Sequence, residues 1–247
     1  MGTLIVAGIG PGSYEHITNA VVYALEKCDE IIGYPLYVNL IKPYFPTKEF
    51  ITTPMRQEEQ RCRIALERAS KGKNVVFVCS GDAGVYGMAG LLSEMSADYP
   101  DVEIKVLPGV TAAVSGAAIL GAPLINDFAV ISLSDALTEW SVIEKRLECA
   151  AQADFCIAIY NPSSHRRKDY LSKACDILLK VYPADRPCGY VRNIGREGES
   201  STICTLQNLK NADVDMFTTV FIGNSCTRIA GGKLVTVRGY AYEGKHD

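Results

Sequence analysis

The sequence predicts an α/β protein with two domains, and three observations lead to that expectation. Short apolar runs alternate with segments whose apolar residues recur at helical spacing, which is typical of parallel sheets covered by helices. The length of 247 residues is sufficient for two domains of ordinary size. The composition, with 48% apolar and 21% charged residues, is that of a chain able to form a packed core.

The first half of the chain predicts strands and helices in regular alternation. The predicted strands cover residues 4–9, 30–34, 75–79 and 102–107, where apolar residues run almost without interruption. The predicted helices cover residues 17–25, 62–69, 85–95 and 112–120. Gly72 is expected to end the second of these helices, because glycine readily adopts the left-handed conformation found after a helix. This order predicts a largely parallel sheet with helices on both faces.

The second half begins after a short segment with the composition of a connection, rich in Gly, Pro, Asn and Asp. The predicted strands cover residues 129–133, 155–160, 189–192, 201–204, 217–223 and 234–237, and helices cover 140–151 and 169–181. The later strands follow one another through short turns, which indicates antiparallel pairing and a mixed sheet. We therefore expect domains at residues 1–121 and 127–247, joined by a linker at about 122–126.

Charge and composition exclude several functional classes. A net charge of −3 argues against a general nucleic-acid or membrane-surface binder. No apolar run approaches the ~20 residues that cross a bilayer, and the N-terminus enters a strand instead of a signal peptide, so a cytoplasmic protein is expected. The nine cysteines stand at least seven positions apart and form no CxxC pair, so they predict buried thiols in a reducing compartment and no metal site.

Residues 80–87, with the sequence SGDAGVYG, form the loop most indicative of function. They follow the predicted strand 75–79 and precede a predicted helix. Open α/β sheets bind ligands outside the carboxyl ends of their strands. Glycine at such a place lets a ligand approach the backbone, because there is no Cβ. The loop therefore predicts a binding site for a small molecule.

Three further loops occupy equivalent positions after predicted strands: GIGPGS at 8–13, PGVTA at 108–112 and YNPSS at 160–164. The first of them resembles a dinucleotide-binding fingerprint but ends in Ser13, and no carboxylate closes the second strand to bind a ribose. Pro11 also removes one amide donor from the turn. These departures weaken an NAD-dependent oxidoreductase, which is kept as the alternative from a different class of enzyme.

These four loops, in this order, resemble the tetrapyrrole methylase family of S-adenosylmethionine-dependent enzymes, and the resemblance runs nearly end to end. Further matching segments are TPMRQE at 53–58, DFAVISLSD at 127–135, VIEKRL at 142–147, RNIGREGE at 192–199 and IGNS at 222–225. Together they are similar to members that methylate ring carbon 17 of precorrin-3B or cobalt-factor III and contract the macrocycle in cobalamin synthesis. An enzyme of the same fold acting at another tetrapyrrole carbon is the nearest alternative.

The resemblance implies a homodimer of two-domain α/β chains, with the active site and S-adenosylmethionine in the cleft between the domains and S-adenosylhomocysteine as product. Carried over by motif position, the cofactor contacts are Pro11, Gly81, Asp82, Ala83, Val85, Thr111, Ala112, Tyr160 and Asn161, with Gly189 and Asn193 from a later strand. Cys79 stands where the family often has serine, and Val114 and Ser115 stand where Ala-Asn is expected, so the pocket wall differs.

The chemistry of such a substrate predicts two further groups of residues. A tetrapyrrole carries many carboxylates, which arginine binds with its two-pronged guanidinium, and the candidates are Arg56, Arg167 and Arg192. Methyl transfer from a sulfonium to an electron-rich carbon requires alignment and no metal or protein nucleophile. Ring contraction requires proton transfers, and the candidate acid–base groups are Asp82, Asp127, Asp135 and Glu197.

Overall fold

The structure is a computed structural model that describes residues 2–164 and 166–240. The chain divides into two compact units, the first ending at Ala112 and the second beginning at Ala113. The sequence places the boundary later, at 122–126. In the structure, Gly121–Ala122 forms a short strand within the second unit, so the start of the predicted linker is regular structure.

The first unit contains a five-stranded parallel sheet. Its strands are β1 (Thr3–Gly8), β2 (Glu30–Gly33), β3 (Glu49–Thr52), β4 (Asn74–Cys79) and β5 (Glu103–Leu107), in the order β3-β2-β4-β1-β5. The predicted parallel sheet is confirmed. The sequence analysis missed β3, because this edge strand is partly exposed and lacks an apolar run.

Helices cover both faces of this sheet. Helices α1 (Asn19–Lys27) and α2 (Pro35–Ile41) pack on one face, where Val76 and Val78 of β4 join their cluster. Helices α3 (Glu58–Ser70) and α4 (Ala89–Met95) pack on the other, against Val75 and Phe77. Because alternate side chains of β4 are buried on opposite faces, the strand reads as one continuous apolar run.

Helix α4 begins at Ala89, so the predicted helix at 85–95 is four residues too long. Residues before it form an irregular loop. The Asp82 carboxylate accepts hydrogen bonds from the Gly84 and Val85 amides, and Tyr86 has a left-handed backbone with φ of 54°. These features hold the segment outside helical geometry, and apolar spacing alone does not reveal them.

The second unit is built around a mixed sheet. Its elements are α5 (Ala112–Leu120, whose first residue closes the first unit), β6 (Gly121–Ala122), β7 (Phe128–Ser132), α6 (Trp140–Gln152), β8 (Cys156–Tyr160), α7 (Tyr170–Leu178), β9 (Pro187–Arg192), β10 (Ser200–Thr205), α8 (Leu206–Leu209), β11 (Thr218–Ile222), β12 (Thr227–Ala230) and β13 (Lys233–Thr236). The main sheet has the order β10-β9-β11-β8-β7, with a parallel β7–β8 pair and antiparallel pairs elsewhere. The predicted antiparallel pairing is confirmed.

A second, smaller sheet brings together distant parts of this unit. Strand β13 pairs in parallel with β6 and antiparallel with β12, giving the order β12-β13-β6. The Thr236 hydroxyl donates to the Pro123 carbonyl oxygen at 2.6 Å, which adds a side-chain bond to the same junction. The end of the described chain is thereby attached to the segment that follows α5.

Glycine and small residues determine how α5 packs in the second unit. A Cβ on Gly116 would lie 2.8 Å from the Phe221 ring, and a Cβ on Gly189 would lie 3.0 Å from Leu120. Helix α5 therefore packs closely on the main sheet because Gly116 leaves room for Phe221 of β11 and Gly189 of β9 leaves room for Leu120. Helices α6 and α7 form a separate apolar cluster with the main sheet through residues such as Leu147 and Leu178. Across residues 2–164 and 166–240, no helix is both long and apolar enough to cross a bilayer.

Candidate functional site

The order of the first sheet identifies where a ligand is expected. Strands β1 and β4 are neighbours, but the chain leaves β1 toward β2 and leaves β4 toward β5, on opposite sides of the pair. Their carboxyl ends therefore lie at the topological switch point, where open α/β sheets bind ligands. The loops at this point are 9–13 and 80–88, two of the loops singled out by the sequence.

These two loops are joined directly through their backbones. The Gly81 amide donates to the Gly10 carbonyl oxygen at 2.7 Å, and the Gly10 amide donates to the Gly81 carbonyl oxygen at 3.1 Å. The Ile9 amide donates to the Cys79 carbonyl oxygen at 2.9 Å. The pairing of β1 with β4 thus continues beyond both strands as a short bridge.

The third loop, after β5, meets the other two at the same place. A Cβ on Gly8 would lie 2.6 Å from the Gly81 carbonyl oxygen and 2.7 Å from the Gly109 amide nitrogen. A Cβ on Gly109 would collide with the carbonyl oxygens of Gly81 and Gly8. The nearest atom to a Cβ on Gly81 would be the Thr111 Cα at 3.7 Å. The three loops therefore converge so closely that glycine is required at two of them.

Asp82 connects the second and third loops. Its Oδ1 accepts hydrogen bonds from the amides of Gly84 at 2.8 Å and Val85 at 3.1 Å, and its Oδ2 accepts from the Gly109 amide at 2.8 Å. The carboxylate is thus already occupied by three backbone donors. The structure presents Asp82 as the residue that fixes the shape of the loops, whereas the sequence analysis considered it only for cofactor binding and acid–base chemistry.

The other cofactor residues predicted in the first unit lie in or beside these loops. Gly81, Val85, Thr111 and Ala112 are close to the convergence, with Gly81 in a left-handed conformation at φ 67°. Pro11 and Ala83 are buried, and the Ala83 side chain packs in the core beneath the loop. The structure therefore brings this predicted set together, and its role in binding stays a prediction.

Arg56 follows β3, at the same carboxyl edge of the first sheet. It is exposed and has a left-handed backbone with φ of 67°, and its amide donates to Glu58 Oε1 at 3.2 Å. Nearby Arg61 is only 3% exposed, and its guanidinium donates to the Thr53 carbonyl and hydroxyl oxygens. The sequence analysis did not predict this anchoring role. Its signal was the spacing of four residues from the buried Ala65, which places Arg61 on the buried face of α3.

In the second unit, the carboxyl ends of β7 and β8 lie side by side because these strands are parallel. The Tyr160 hydroxyl accepts a 2.6 Å hydrogen bond from the Ala113 amide in the first turn of α5. Asn161 has a left-handed φ of 52°, and its Nδ2 donates to Ser132 Oγ at 2.9 Å. Both predicted cofactor residues are therefore held in place by side-chain hydrogen bonds.

A cluster of Asp135, Arg167 and Tyr170 lies next in the chain after β7 and β8. Arg167 Nε is 2.6 Å from Asp135 Oδ1, and its Nη1 donates to Ser134 Oγ at 3.1 Å. The Tyr170 hydroxyl donates to Asp135 Oδ2 at 2.6 Å. The Tyr170 hydrogen bond, and then the Arg167 charge, hold the pKa of Asp135 below its ordinary value, and the same hydrogen bond raises the pKa of Tyr170. The sequence analysis missed Tyr170, which only its spacing from Arg167 at the start of α7 could have indicated.

Arg192 is the last residue of β9, and Asn193 follows it. Because β9 and β8 both run antiparallel to β11, the carboxyl end of β9 lies at the same edge of the sheet as that of β8. Asn193 repeats the left-handed conformation of Asn161, with φ of 54°. Arg192 donates to the Asp213 carbonyl oxygen at 2.8 Å and lies 3.4 Å from the Asp215 carboxylate. Its guanidinium is therefore neutralised within the protein, unlike that of a free binding residue.

The remaining predicted residues of the second unit lie at three different places in the fold. Asp127 precedes β7 and so lies at the opposite edge of the sheet, about 16 Å from the carboxyl end at the usual rise per residue. Gly189 lies inside β9 and is covered by Leu120, which explains its lack of a side chain without a ligand. Glu197 is exposed in the turn after β9. Their catalytic or binding roles stay predictions.

The part of the chain that the structure describes contains no group of three or more His, Cys, Asp or Glu side chains able to hold one metal ion. Most of the cysteines are buried. Burial raises the pKa of Cys62 to about 12 and that of Cys79 to about 11, which keeps both thiols protonated at neutral pH.

Comparison with known proteins adds to this geometry. A family model described as Tetrapyrrole (Corrin/Porphyrin) Methylases matches residues 3–210. A probable cobalt-factor III C(17)-methyltransferase of Salmonella typhimurium is 44% identical over 96% of this chain and 99% of that protein. A precorrin-3B C(17)-methyltransferase of Sinorhizobium is 40% identical over 92% of this chain and 91% of that protein. A cobalt-factor III methyltransferase of Priestia megaterium is 45% identical, but this chain spans only 45% of its length.

Two solved structures show the same fold. The methyltransferase CobJ superposes with a TM-score of 0.89 at 37% identity, covering 96% of this chain and 100% of that one. A uroporphyrin-III C-methyl transferase from Thermus thermophilus, complexed with S-adenyl homocysteine, has a TM-score of 0.71 at 18% identity and covers 90% and 92% of the two chains. The predicted two-domain α/β fold is thereby confirmed.

Proposed function

The chain belongs to the tetrapyrrole methylase family, and we propose that it transfers a methyl group from S-adenosylmethionine to ring carbon 17 of a tetrapyrrole, with contraction of the macrocycle, in cobalamin biosynthesis. The substrate is cobalt-factor III or precorrin-3B, which are the substrates in the names of relatives matched over most of both chains. The observation that carries the proposal is the convergence of three glycine-bearing loops at the switch point of a chain from this family.

The first unit fits the cofactor because its loops offer backbone groups with little side-chain obstruction. Gly8, Gly81 and Gly109 meet where β1, β4 and β5 end, and a Cβ on Gly81 would still be 3.7 Å from the closest atom of the neighbouring loop. When bound, S-adenosylmethionine supplies an electrophilic methyl carbon. The role of these loops is to hold the donor in one orientation, so that methyl carbon and nucleophile lie about 3–3.5 Å apart.

The substrate carries several carboxylates, although the protein is acidic overall. Arg56 suits one of them: it is exposed, and no ion pair involves it within residues 2–164 and 166–240. Arg167 suits another, because Asp135 and Ser134 bind its Nε and Nη1 and so fix the plane of the guanidinium. Arg192 is the weakest of the three predicted candidates, since two carboxylates, those of Asp213 and Asp215, lie beside its guanidinium, whereas a single carboxylate pairs with Arg167.

Among the predicted acid–base groups, Asp135 has surroundings that bear directly on whether it acts as a general base. A general base works best when its pKa lies near the operating pH. The pKa of Asp135 is instead lowered by Tyr170 and Arg167, so the carboxylate is ionised at neutral pH and holds its proton weakly. Asp135 therefore orients Arg167 in our proposal, and the proton transfers of ring contraction fall to other groups, including those of the substrate.

The function is tested by incubating the protein with methyl-labelled S-adenosylmethionine and either precorrin-3B or cobalt-factor III. We expect NMR of the product to show label at carbon 17 of a ring-contracted macrocycle. Label at another ring carbon would support the alternative within the same fold. Absence of labelled product from both substrates, with cofactor binding confirmed by calorimetry, would overturn the proposal. Reaction of the protein with NAD and no methyl acceptor would favour the oxidoreductase alternative.

The proposal extends to assembly, since the family resemblance implies a homodimer. Light scattering coupled to size-exclusion chromatography measures the mass in solution directly. A mass near twice the 26.9 kDa of the chain is expected. A mass equal to that of one chain at working concentrations would contradict this part of the proposal without affecting the assigned reaction.

A further inference from the structure

Arg61 combines deep burial with an incompletely paired charge. Its side chain is only 4% exposed, and the nearest carboxylate oxygen, Glu58 Oε1, is 3.9 Å from its Nη2. Removing a guanidinium from water is costly unless hydrogen bonds replace the lost hydration. An apolar residue at this position of α3 would avoid the cost entirely. The presence of a cation at this buried position therefore indicates a role beyond packing.

The hydrogen bonds of Arg61 converge on one short segment. Its Nη1 lies 2.9 Å from the Thr53 carbonyl oxygen, 2.7 Å from Thr53 Oγ1 and 3.4 Å from the Pro54 carbonyl oxygen. Thr53 is itself buried, and its hydroxyl also donates to the Gln57 carbonyl oxygen at 3.3 Å. Residues 53–57, which we call the Arg56 loop, are thus bound from below by one side chain.

The same guanidinium lies beneath the ligand-binding edge of the first sheet. It is 5.7 Å from the centre of the Tyr34 ring, and Tyr34 directly follows β2. Its charge also acts on Cys79, the last residue of β4, where it opposes the rise in pKa that burial causes. Arg61 therefore binds the segment after β3 and lies close to Tyr34 after β2, the strand next to β3 in the sheet.

The Arg56 loop has a conformation that needs such support. Arg56 has a φ of 67°, a region that non-glycine residues occupy at a cost and keep only when their surroundings enforce it. The Arg56 amide is held by its hydrogen bond to the Glu58 carboxylate in the first turn of α3. The side chain of Arg56 is exposed, so its direction depends on the backbone that carries it.

We propose that Arg61 is a positioning residue: it holds the Arg56 loop so that the guanidinium of Arg56 meets a carboxylate of the tetrapyrrole. Arg61 does not touch the substrate and acts through Arg56. Nη1 alone makes all three contacts. Lysine is nevertheless a poor replacement, because its compact ammonium group is more strongly hydrated than a guanidinium and costs more to bury. The inference rests on the proposed function for the substrate, but its structural part stands independently.

A double-mutant cycle tests the coupling of the two arginines. We expect Arg61→Lys and Arg56→Ala each to raise KM for the tetrapyrrole by about tenfold, the usual effect of losing a charge-assisted hydrogen bond, with kcat little changed. The double variant should have the KM of Arg56→Ala alone, because the residues act in series. KM effects that multiply in the double variant would overturn the proposal, since Arg61 would then act independently of Arg56.

A second measurement needs no substrate and separates the two proposals. Trypsin cleavage after Arg56, relative to cleavage at other sites, should be at least about fivefold faster in Arg61→Lys, because the loop opens more often. Arg63→Lys is the matched control: it lies on the same helix, is half exposed and pairs with Glu59, so it should behave as the parent. An unchanged relative rate in Arg61→Lys would overturn the positioning role. A faster rate in a protein that methylates no tetrapyrrole would retain that role and reject the proposed function.

Discussion

At the carboxyl edge of the first sheet the backbone makes most of the contacts, whereas at the carboxyl edge of the second sheet side chains make them. Gly8, Gly81 and Gly109 touch through main-chain atoms. Asn161 reaches Ser132, and Arg167 reaches Asp135, through side chains alone. A backbone site offers fixed hydrogen-bonding groups in one shape, and a side-chain site offers charges that respond to pH. The two edges therefore differ in how they would hold a ligand, by a fixed backbone shape at the first and by side-chain charges at the second.

The largest expected effect is a loss of stability when a single methyl group is added to the backbone contacts at the edge of the first sheet. Gly109→Ala places a Cβ against the carbonyl oxygens of Gly81 and Gly8, which cannot move aside as a side chain can. We expect the free energy of unfolding to fall by about 3 kcal/mol, at the upper end for overpacking. Urea unfolding followed by circular dichroism measures it.

Gly90→Ala is the matched control for this substitution. Gly90 lies inside α4, and nothing lies within 4 Å of an added Cβ, so the alanine should stabilise the protein by about 0.5–1 kcal/mol. If Gly109→Ala unfolds at the same urea concentration as the parent, the loops are more loosely packed than the structure indicates, and the contrast between the edges disappears.

Asp82 is an exception at the edge of the first sheet, because its side chain holds the backbone of two loops. Asp82→Ala leaves the amides of Gly84, Val85 and Gly109 without their acceptor. We expect a loss of about 2 kcal/mol in unfolding free energy together with at least tenfold weaker binding of S-adenosylmethionine in calorimetry. Asp101→Ala, at an exposed turn, is the control. If Asp82→Ala binds S-adenosylmethionine as tightly as the parent, Asp82 has no role in cofactor binding.

A smaller effect is expected at the second edge from removal of one hydroxyl. Tyr160→Phe deprives the Ala113 amide of its acceptor while keeping the ring. The expected loss is about 1 kcal/mol in unfolding free energy, the usual value for one hydrogen bond. Tyr23→Phe, where the side chain is largely exposed, should change nothing measurable. A Tyr160→Phe protein as stable as the parent would mean that water replaces the hydroxyl without penalty.

The smallest effect should be a pH dependence confined to the second edge. The folded-state pKa of Asp135 is lowered, so its ion pair contributes stability above the pKa of the unfolded carboxyl, about 3.9, and loses it as the pH falls through the lower folded value. We expect Asp135→Asn to lower Tm by no more than about 2–4 °C at pH 7 and to match the parent at strongly acidic pH. If the difference in Tm between Asp135→Asn and the parent is the same at acidic pH, the loss of stability comes from packing and not from the ion pair.

Much of the fold could be read from the sequence because buried parallel strands are continuous apolar runs. The runs at β1, β4 and β8 each mark a strand, and α5 is marked by its small residues. Strand β3 has no such run because its residues lie at an edge and are partly exposed. Helix periodicity also failed near Val85, whose amide donates a hydrogen bond to the Asp82 carboxylate and so holds the segment out of a helix.

The sequence allowed the loops of the candidate site to be predicted, but not the role of each charged side chain in them. Glycine after an apolar strand indicates a close approach of backbones, and the convergence of Gly8, Gly81 and Gly109 bears this out. The sequence does not show what a charged side chain meets. Arg192 resembled a free cation until Asp213 and Asp215, more than twenty residues away, were found beside it. Partners that are distant in sequence are what separate a binding arginine from a structural one.

The pairing of β6 with β13 has a consequence for synthesis of the chain. The first unit uses only residues up to Ala112, so all of its strand partners are synthesised before the chain of the second unit. The second unit places residues 121–122 beside 233–236 and cannot complete its smaller sheet until residues 233–236 have been made. Domains generally fold as units in the order in which they are made. The glycine loops of the first unit are thus able to assemble on a nascent chain before the second unit, which carries Arg167 and Arg192, has taken its shape.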